Sequence, residues 1–246
     1  MKWKIATASY QGRGHLKYNV PCQDKTFKLF FPKKDFYSVA LADGAGSYKY
    51  SDIGAEFITK KVLYYLNSKF KYLFKYKKPE LTLLSFIEKE LIKLSKEKNI
   101  DVKEFSSTLL FIAIQDNRYI LGHIGDGVIG YLSKNNKIEV LSYPENGEYA
   151  NSTFFTTSFE NKRRLKIKKG NLDNIQGFIL MSDGVEESLY NKQLKKLIPV
   201  TKTIIKWLDN FSEKQVEEIL KNNLKQVFTQ KTIDDCSIGI IKKSFL

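Results

Sequence analysis

Short apolar runs that end in Asp-Gly stand out in the hydrophobic pattern of the chain. Such runs end at Asp43, at Asp126 and at Asp183. Each run has the length and apolar content of a buried strand, so the pattern predicts an aspartate at the mouth of each of three strands. The glycine after each aspartate permits a tight turn, which can bring a main-chain carbonyl close to whatever the carboxylate binds. A site for a hard cation can begin in this way.

Further strands and helices follow from the spacing of the apolar positions. Continuous or alternating apolar runs predict strands over residues 2–9, 27–31, 36–42, 106–114, 119–124, 128–133, 137–143, 178–181 and 236–241. Apolar residues three or four positions apart predict one helix with Ser51 as its N-cap, and others over 80–98, 185–190 and 212–228. Residues 11–15 and 144–174 are expected to be loops, the second of them a surface loop or lid.

The Asp-Gly pairs have a simpler interpretation, because Asp-Gly between two apolar runs is also typical of a hairpin turn. For Asp126, with apolar runs on both sides, the pattern does not decide between a turn and a site. For Asp43 and Asp183 a helical pattern follows, which is less typical of a hairpin. If the strand that follows Asp24 pairs with the strand that ends at Asp43, two carboxylates lie at one sheet end, where they repel unless a cation compensates them.

The length of 246 residues, without an internal repeat or linker, favours one domain over residues 1–246. Hydrophobic residues at 42% and aromatic residues at 13% exclude a disordered chain. The longest apolar runs fall far short of the roughly 20 residues that cross a bilayer, and the first residues contain no apolar stretch of signal-peptide length. We therefore expect a cytoplasmic protein with no membrane partner. Cys22 and Cys236 lack zinc-ligand spacing and are expected to be free thiols.

The formal net charge of +14 is expected to favour phosphorylated or acidic partners. A solvated, lysine-rich surface is the simpler alternative. Nucleic acid is not expected as a partner, because only four of the basic residues are arginines and because basic and aromatic residues are not interleaved.

Five aspartates that flank predicted strands are the candidate metal ligands. They are Asp24, Asp43, Asp126, Asp183 and Asp234. All are hard oxygen donors, which favours magnesium or manganese over zinc or copper. His123, inside a predicted strand, is expected to be an ordinary core histidine.

Six short motifs occur in an order that resembles a known family. They are Gln23-Asp24, Asp43-Gly44-Ala45-Gly46, Ser107-Thr108, Gly125-Asp126-Gly127, Ser182-Asp183-Gly184 and Asp234-Asp235-Cys236-Ser237. Over nearly the whole chain they resemble the metal-dependent serine/threonine protein phosphatases of the PPM (type 2C) family. The elements H-x-x-x-N-x-P-C-Q-D at 15–24 and G-E-Y-A-N at 147–151 resemble in particular a bacterial branch whose members accompany serine/threonine kinases.

The resemblance implies an α+β fold, a four-layer α-β-β-α sandwich of two antiparallel β-sheets flanked by helices, with a two-metal site between the sheet ends. It implies that a water activated by two Mn²⁺ or Mg²⁺ ions hydrolyses phosphoserine or phosphothreonine without a covalent phosphoenzyme. A third, weaker metal is implied at Asp126 with Asp183. The implied substrate is a phosphorylated protein, either a serine/threonine kinase or its targets.

The resemblance also implies a role for each residue of the core metal site. Asp43 would bridge both metals, and the main-chain carbonyl of Gly44 would bind one of them. Asp183 and Asp234 would complete the ligand set. Asp24 would hold a metal-bound water.

The chain departs from the family pattern at two positions. Ala45 stands where the family has its general-acid histidine, so protonation of the leaving group is unassigned. Asn19 stands where the family has the arginine that clamps the substrate phosphate. His15, Lys17 or Arg13 is a candidate replacement, and the predicted substrate-binding residues are His15, Asn19 and Lys17. For His15 an ordinary loop histidine is the alternative.

Three functions remain open at this point. An active manganese- or magnesium-dependent phosphatase is favoured, because every implied carboxylate ligand is present. A catalytically silent module that keeps the fold and binds a phosphoprotein is the alternative that Ala45 and Asn19 suggest. A basic nucleic-acid-binding protein is the third and has the least support.

Overall fold

The computed structural model describes residues 2–145, 153–158 and 165–244, which form two antiparallel five-stranded sheets and a two-stranded ribbon. The strands of the first sheet are, in order, β1 (Lys2–Tyr10), β12 (Cys236–Ser244), β9 (Ile175–Met181), β6 (Val128–Ser133) and β7 (Ile138–Ser142). Those of the second sheet are β2 (Lys25–Phe31), β3 (Phe36–Ala42), β4 (Leu109–Gln115), β5 (Arg118–Ile124) and β8 (Lys166–Asn171). The ribbon pairs β10 (Tyr190–Asn191) with β11 (Lys196–Leu197).

The described residues also form α-helices. They are α1 (Arg13–Tyr18), α2 (Ser51–Lys75), α3 (Pro79–Lys98), α4 (Asp183–Leu189), α5 (Val200–Asn210) and α6 (Glu213–Asn223). A π-helical turn, Leu224–Phe228, continues α6, and short 3-10 turns occupy Pro32–Lys34 and Val102–Phe105. Within the described ranges, none of these helices combines the length and apolarity that a bilayer crossing requires.

Three apolar cores hold the layers together. Side chains that include Val39 and Phe178 fill the space between the two sheets. Buried residues of α2 and α3 pack on the outer face of the second sheet, and those of α4, α5 and α6 pack on the outer face of the first. The predicted four-layer α-β-β-α sandwich is therefore confirmed.

The chain passes from one sheet to the other at Asp126. Strand β5 belongs to the second sheet and β6 to the first, so residues 125–127 connect the sheets. Gly125 has a φ of 109°, a conformation that side-chain-bearing residues rarely adopt. The structure excludes the hairpin interpretation of Asp126, and the predicted run of four strands is divided between two sheets.

The start of α2 differs from the prediction in its cap. Tyr50 is the N-cap residue, and the Ser51 hydroxyl instead donates a hydrogen bond to the carbonyl of Tyr48 at 3.0 Å. Ser51 is also fully buried. Its hydroxyl therefore stabilises the turn before the helix rather than the first helical N–H groups, and the prediction of Ser51 as N-cap is wrong.

Other elements were not expected from the pattern either. Part of the predicted loop 144–174 forms β8, an edge strand that pairs with β5. Its lysine-rich sequence lacks the apolar pattern that would have predicted a strand. Helix α1 occupies residues expected to be a loop. Helix α5 was not predicted, although its buried residues recur at helical spacing. They are Thr201, Ile204, Ile205 and Leu208.

Helix α6 protects the free edge of β1. The Glu213 carboxylate accepts a hydrogen bond from the Ile5 N–H at 2.6 Å, and Glu217 accepts one from the Thr7 N–H at 3.3 Å. Glu217 also pairs with Lys28 of β2 at 2.7 Å. Two glutamates one helical turn apart thus satisfy two outward-facing N–H groups of an edge strand.

Candidate active site

Four of the five candidate aspartates line one cavity of about 190 Å³ at the ends of the two sheets. Asp43 follows β3, Asp126 connects β5 to β6, Asp183 follows β9 and Asp234 lies shortly before β12. The lining residues are His15, Gln23, Asp43, Gly44, Ala45, Gly46, Thr108, Asp126, Thr153, Phe155, Asp183 and Asp234. Residues far apart in sequence therefore meet at one point of the fold.

The fifth aspartate, Asp24, is buried at the same sheet end as Asp43. The register of β2 on β3 pairs Lys25 with Ala42, so the residues just beyond this pair lie together, as predicted. Asp24 is 1% exposed, and neither of its carboxylate oxygens has a hydrogen-bond partner among the described residues. Burial raises the pKa of Asp24 to about 7, against the lowering effect of the nearby Ser182 hydroxyl.

The other carboxylates of the cavity are buried and repel one another. Burial, followed by the charge of Asp24 and then that of Asp183, raises the pKa of Asp43 well above its ordinary value. Burial and then the charge of Asp234 raise the pKa of Asp183 to about 8. Burial also raises the pKa of Asp234, although the backbone N–H of Asp235 opposes this by donating to its carboxylate at 3.0 Å.

The Ser107-Thr108 motif fixes the end of β3. The Asp43 N–H donates to the Thr108 hydroxyl at 2.9 Å, and the Thr108 N–H donates to the Asp43 carbonyl at 2.8 Å. A β-carbon on Gly44 would lie 2.8 Å from the carbonyl carbon of Ser51. Glycine is therefore required for α2 to begin so close to the turn that carries Asp43.

Asp235 holds the α1 segment against the site, a role that the sequence patterns do not reveal. Its Oδ1 accepts a hydrogen bond from the Gly12 N–H at 2.6 Å, and its Oδ2 accepts one from the Gln23 N–H at 2.5 Å. His15 Nδ1 lies 2.9 Å from the same Oδ2. Asp235 is 1% exposed. A single buried carboxylate thus anchors both ends of the segment that contains His15.

The family model of protein phosphatase 2C matches residues 11–227 of the chain. The chain belongs to the protein phosphatase 2C family. The family is one of metal-dependent serine/threonine protein phosphatases.

This protein phosphatase 2C is similar to several bacterial phosphatases. It is similar to serine/threonine-protein phosphatase 3 of Escherichia coli strain K12, with 24% identity over 258 residues and 98% coverage of each chain. The serine/threonine phosphatase Stp1 from Staphylococcus aureus has a TM-score of 0.68 at 12% identity, covering 99% of this chain and 96% of that one. A bacterial serine phosphatase has the same TM-score and identity, with each chain covered completely. The structural likeness supports the fold.

The predicted substrate-binding residues of this phosphatase 2C occupy different environments. His15 lines the cavity. Lys17 and Asn19 are exposed and are not among the lining residues, and Asn19 ends α1 with a φ of 53°. The Arg13 guanidinium donates to the carbonyl of Gln230 at 3.2 Å. Of the candidate replacements for the missing phosphate-binding arginine, the structure brings His15 to the aspartates.

Residues 153–158, within the segment predicted to be a surface loop or lid, contribute Thr153 and Phe155 to the cavity wall. The Thr153 hydroxyl donates to Asp126 Oδ2 at 2.6 Å, and Phe155 lines the cavity. The Thr156 N–H donates to the Ser107 carbonyl at 2.8 Å. The G-E-Y-A-N element at 147–151 lies outside the described residues.

The second histidine of this phosphatase is an internal residue of β5. His123 is 1% exposed, with Nδ1 2.7 Å from the Ser142 hydroxyl and Nε2 2.9 Å from the Gly125 carbonyl. Burial, aided by the charge of Lys166, lowers the pKa of His123 to about 3. The prediction of a core histidine is confirmed. Cys22 and Cys236 are both free, as predicted, and burial raises the pKa of each thiol.

The aspartates of this phosphatase line the cavity but are not grouped tightly enough to form a complete metal site by themselves. In residues 2–145, 153–158 and 165–244, no three histidine, cysteine, aspartate or glutamate side chains form a ready-made metal-binding group. Like the oxygens of Asp24, further polar atoms are buried without a hydrogen-bond partner in these ranges. They include the Gln23 side-chain oxygen, Glu186 Oε1 and the Ser237 hydroxyl.

Proposed function

We propose that the aspartate-lined cavity is the active site of a metal-dependent phosphatase that hydrolyses phosphoserine and phosphothreonine in proteins. The observation that carries this proposal is the convergence of five aspartates, of which Asp24, Asp43, Asp183 and Asp234 have raised pKa values. Burial of these carboxylates and their mutual repulsion are costly to a marginally stable fold unless cations compensate the charge.

The donor set fits Mg²⁺ or Mn²⁺, because every candidate ligand is an oxygen. We infer two ions in a core site, held by Asp43, the main-chain carbonyl of Gly44, Asp183 and Asp234. A third, weaker ion would lie at Asp126 with Asp183. When bound, the ions would lower the pKa of a water, so that it can attack phosphorus at neutral pH, and would offset the charge of the phosphate.

The remaining residues of the site would orient the water and the substrate. Asp24 is buried beside Asp43, and its two oxygens, without a partner in the described ranges, are suited to accept hydrogen bonds from an attacking water. His15 lines the cavity and would contact the phosphorylated side chain. Lys17 and Asn19 are exposed near His15 on the same segment, so any contribution to substrate binding would come from outside the cavity.

The substrate we propose is a phosphorylated protein, either a serine/threonine kinase or one of its targets. The formal net charge of +14 supports an acidic or phosphorylated partner over a basic one. We also propose that residues 1–246 act as one domain in the cytoplasm and that neither nucleic acid nor a membrane is the partner.

A second candidate function is a catalytically silent module that binds a phosphoprotein. The observation that favours it is Ala45, which lines the cavity and has no ionisable group to protonate a leaving alkoxide. Such a module would bind a phosphopeptide without releasing phosphate.

Release of phosphate from a phosphothreonine peptide, with Mn²⁺ and after exhaustive chelation, tests the proposal. We expect turnover with metal that chelation abolishes. The variant Asp43→Asn should be inactive, whereas Asp116→Asn, a change in an exposed turn between β4 and β5, should be as active as the wild type. Binding without turnover would favour the silent module, and tight RNA binding without turnover would favour a nucleic-acid partner.

A further inference from the structure

Hydrolysis of phosphoserine or phosphothreonine releases an alcohol, and an alkoxide is a poor leaving group unless it receives a proton as the ester bond breaks. Ala45 lines the cavity at the position next to Asp43 and Gly44 but cannot supply that proton. A proton donor for the leaving group, other than the proposed metal ligands, is therefore needed elsewhere on the cavity wall.

The chain contains two histidines, and their surroundings are opposite. His123 is enclosed in the second sheet and both of its ring nitrogens have partners. His15 lines the cavity together with Asp43, Asp183 and Asp234. Of the two histidines, His15 is thus the one that can reach a bound substrate.

Asp235 determines which ring nitrogen of His15 is available. The Asp235 carboxylate accepts hydrogen bonds from the Gly12 and Gln23 N–H groups, so it acts as an acceptor toward His15 as well. Nδ1 is then the donor, at 2.9 Å from Oδ2. Nε2, on the other side of the ring, has no hydrogen-bond partner in the described part of the chain and can carry the proton that is transferred.

The charged groups near His15 lie on the loop before β12, on its own helix α1, and among the aspartates Asp43, Asp126 and Asp183 of the same cavity. Asp235 is in direct contact with His15, and Asp234 lies beside it in the same loop before β12. On its own helix, Arg13 is directed to the carbonyls of Gln230 and Thr232, and Lys17 lies over the ring of Tyr18. The contacts of Arg13 and Lys17 in the structure are therefore with groups other than His15.

We propose that His15 is the general acid of the reaction and that Asp235 is the residue that positions it. The proposal rests on the proposed phosphatase function. As the attacking oxygen bonds to phosphorus, the bond from phosphorus to the serine or threonine oxygen breaks and its electron pair moves to that oxygen. His15 Nε2–H gives its proton to this oxygen, so that the alcohol and inorganic phosphate leave, and solvent returns a proton to the neutral imidazole. The sum is one ester and one water consumed, and one alcohol and one phosphate formed.

The test compares two substrates that differ in their need for an acid. The leaving group of a phosphothreonine peptide is an alkoxide, which needs a proton. The leaving group of p-nitrophenyl phosphate is a phenolate, which is stable without one. We expect His15→Gln to lower kcat for the peptide by about 10²- to 10³-fold and kcat for p-nitrophenyl phosphate by less than about 5-fold. Leu16→Ala, which shortens an exposed neighbour on α1, should leave both rates unchanged.

Asp235→Asn provides the second variant. The asparagine keeps one acceptor oxygen but makes a weaker hydrogen bond with His15 Nδ1. We therefore expect kcat to fall selectively for the peptide, by less than in His15→Gln. The wild-type pH profile is a readout that needs no variant. The rate for the peptide should fall at high pH, where a general acid is deprotonated, and the rate for p-nitrophenyl phosphate should not fall with it.

The outcomes separate this proposal from the function on which it rests. Equal losses for both substrates, or a rise in KM with kcat unchanged, would overturn the general-acid role and make His15 a phosphate-binding residue. A lowered melting temperature with unchanged kinetics would make it structural. Absence of metal-dependent turnover of either substrate by the wild type would instead contradict the proposed function.

Discussion

Gly12 lies directly against the main chain of Asp234. A β-carbon on Gly12 would lie 2.2 Å from the carbonyl oxygen of Asp234, closer than any real contact of that kind. The Gly12 N–H also donates to the adjacent Asp235 at 2.6 Å. The loop before α1 and the loop before β12 are therefore in contact at a position that admits no side chain.

Gly12→Ala should consequently displace Asp234 without removing any proposed metal ligand. We expect a loss of about 1–3 kcal/mol in the free energy of unfolding, typical of overpacking, together with weaker binding of Mn²⁺. Gly14→Ala is the matched control, because its β-carbon would lie 3.0 Å from the Ile233 carbonyl oxygen and has more room. Isothermal titration with Mn²⁺ and urea unfolding measure the two effects. Equal behaviour of the two variants would show that the Gly12 contact does not position Asp234.

The aspartates should differ in their importance for catalysis. Asp43→Asn and Asp183→Asn should each lower kcat/KM for a phosphothreonine peptide by about two orders of magnitude or more, because each removes a proposed core ligand. Asp126→Asn should be milder, since Asp126 is assigned to the third ion and already accepts a hydrogen bond from Thr153 at 2.6 Å. Steady-state kinetics at saturating Mn²⁺ makes the comparison. If Asp126→Asn were as damaging as Asp43→Asn, the division into core and peripheral ions would be wrong.

Stability of the metal-free protein should depend on pH in an unusual direction. The folded-state pKa values of Asp24 and Asp183, about 7 and about 8, lie above the unfolded value of about 3.9. The native state therefore binds more protons than the unfolded state, and the stability that these groups contribute is fully present below pH 3.9 and is lost as the pH rises through 7 and 8.

The measurement is urea unfolding in a chelating buffer between pH 5 and pH 9. We expect the midpoint for the wild type to fall across this range and the midpoint for Asp24→Asn to fall less, because one titrating group has been removed. A steeper or equal fall for the variant would show that Asp24 is not among the groups whose burial in the charged form opposes folding.

The sequence pattern was sufficient to predict the strands that carry the aspartates. The strands that end at Asp43 and Asp183 are buried on both faces, and buried strands have continuous apolar runs. The pattern could not decide the role of Asp126, because a connection between two sheets and a hairpin turn have the same local sequence. Only the assignment of β5 and β6 to different sheets distinguishes them.

The parts of the site that the sequence did not predict depend on long-range contacts. Asp235 contacts Gly12, His15 and Gln23, each more than 200 positions away. Neither hydrophobic period nor turn chemistry describes such a contact. Strand β8 was not predicted for a different reason. A half-buried edge strand that contains three lysines lacks the apolar signal on which strand prediction depends.

The claim that the aspartates bind metal is tested most directly by the melting temperatures of the wild type and Asp43→Asn, each with and without Mn²⁺. A bound ligand stabilises the native state by RT ln(1 + [L]/Kd), about 2.7 kcal/mol at a hundredfold excess over Kd, so Mn²⁺ should raise the melting temperature of the wild type. Without metal, Asp43→Asn should melt no lower than the wild type, because the substitution relieves repulsion around a buried carboxylate. With Mn²⁺, the variant should lose most of the rise. Equal shifts in the two proteins would contradict the account by removing Asp43 from the metal site.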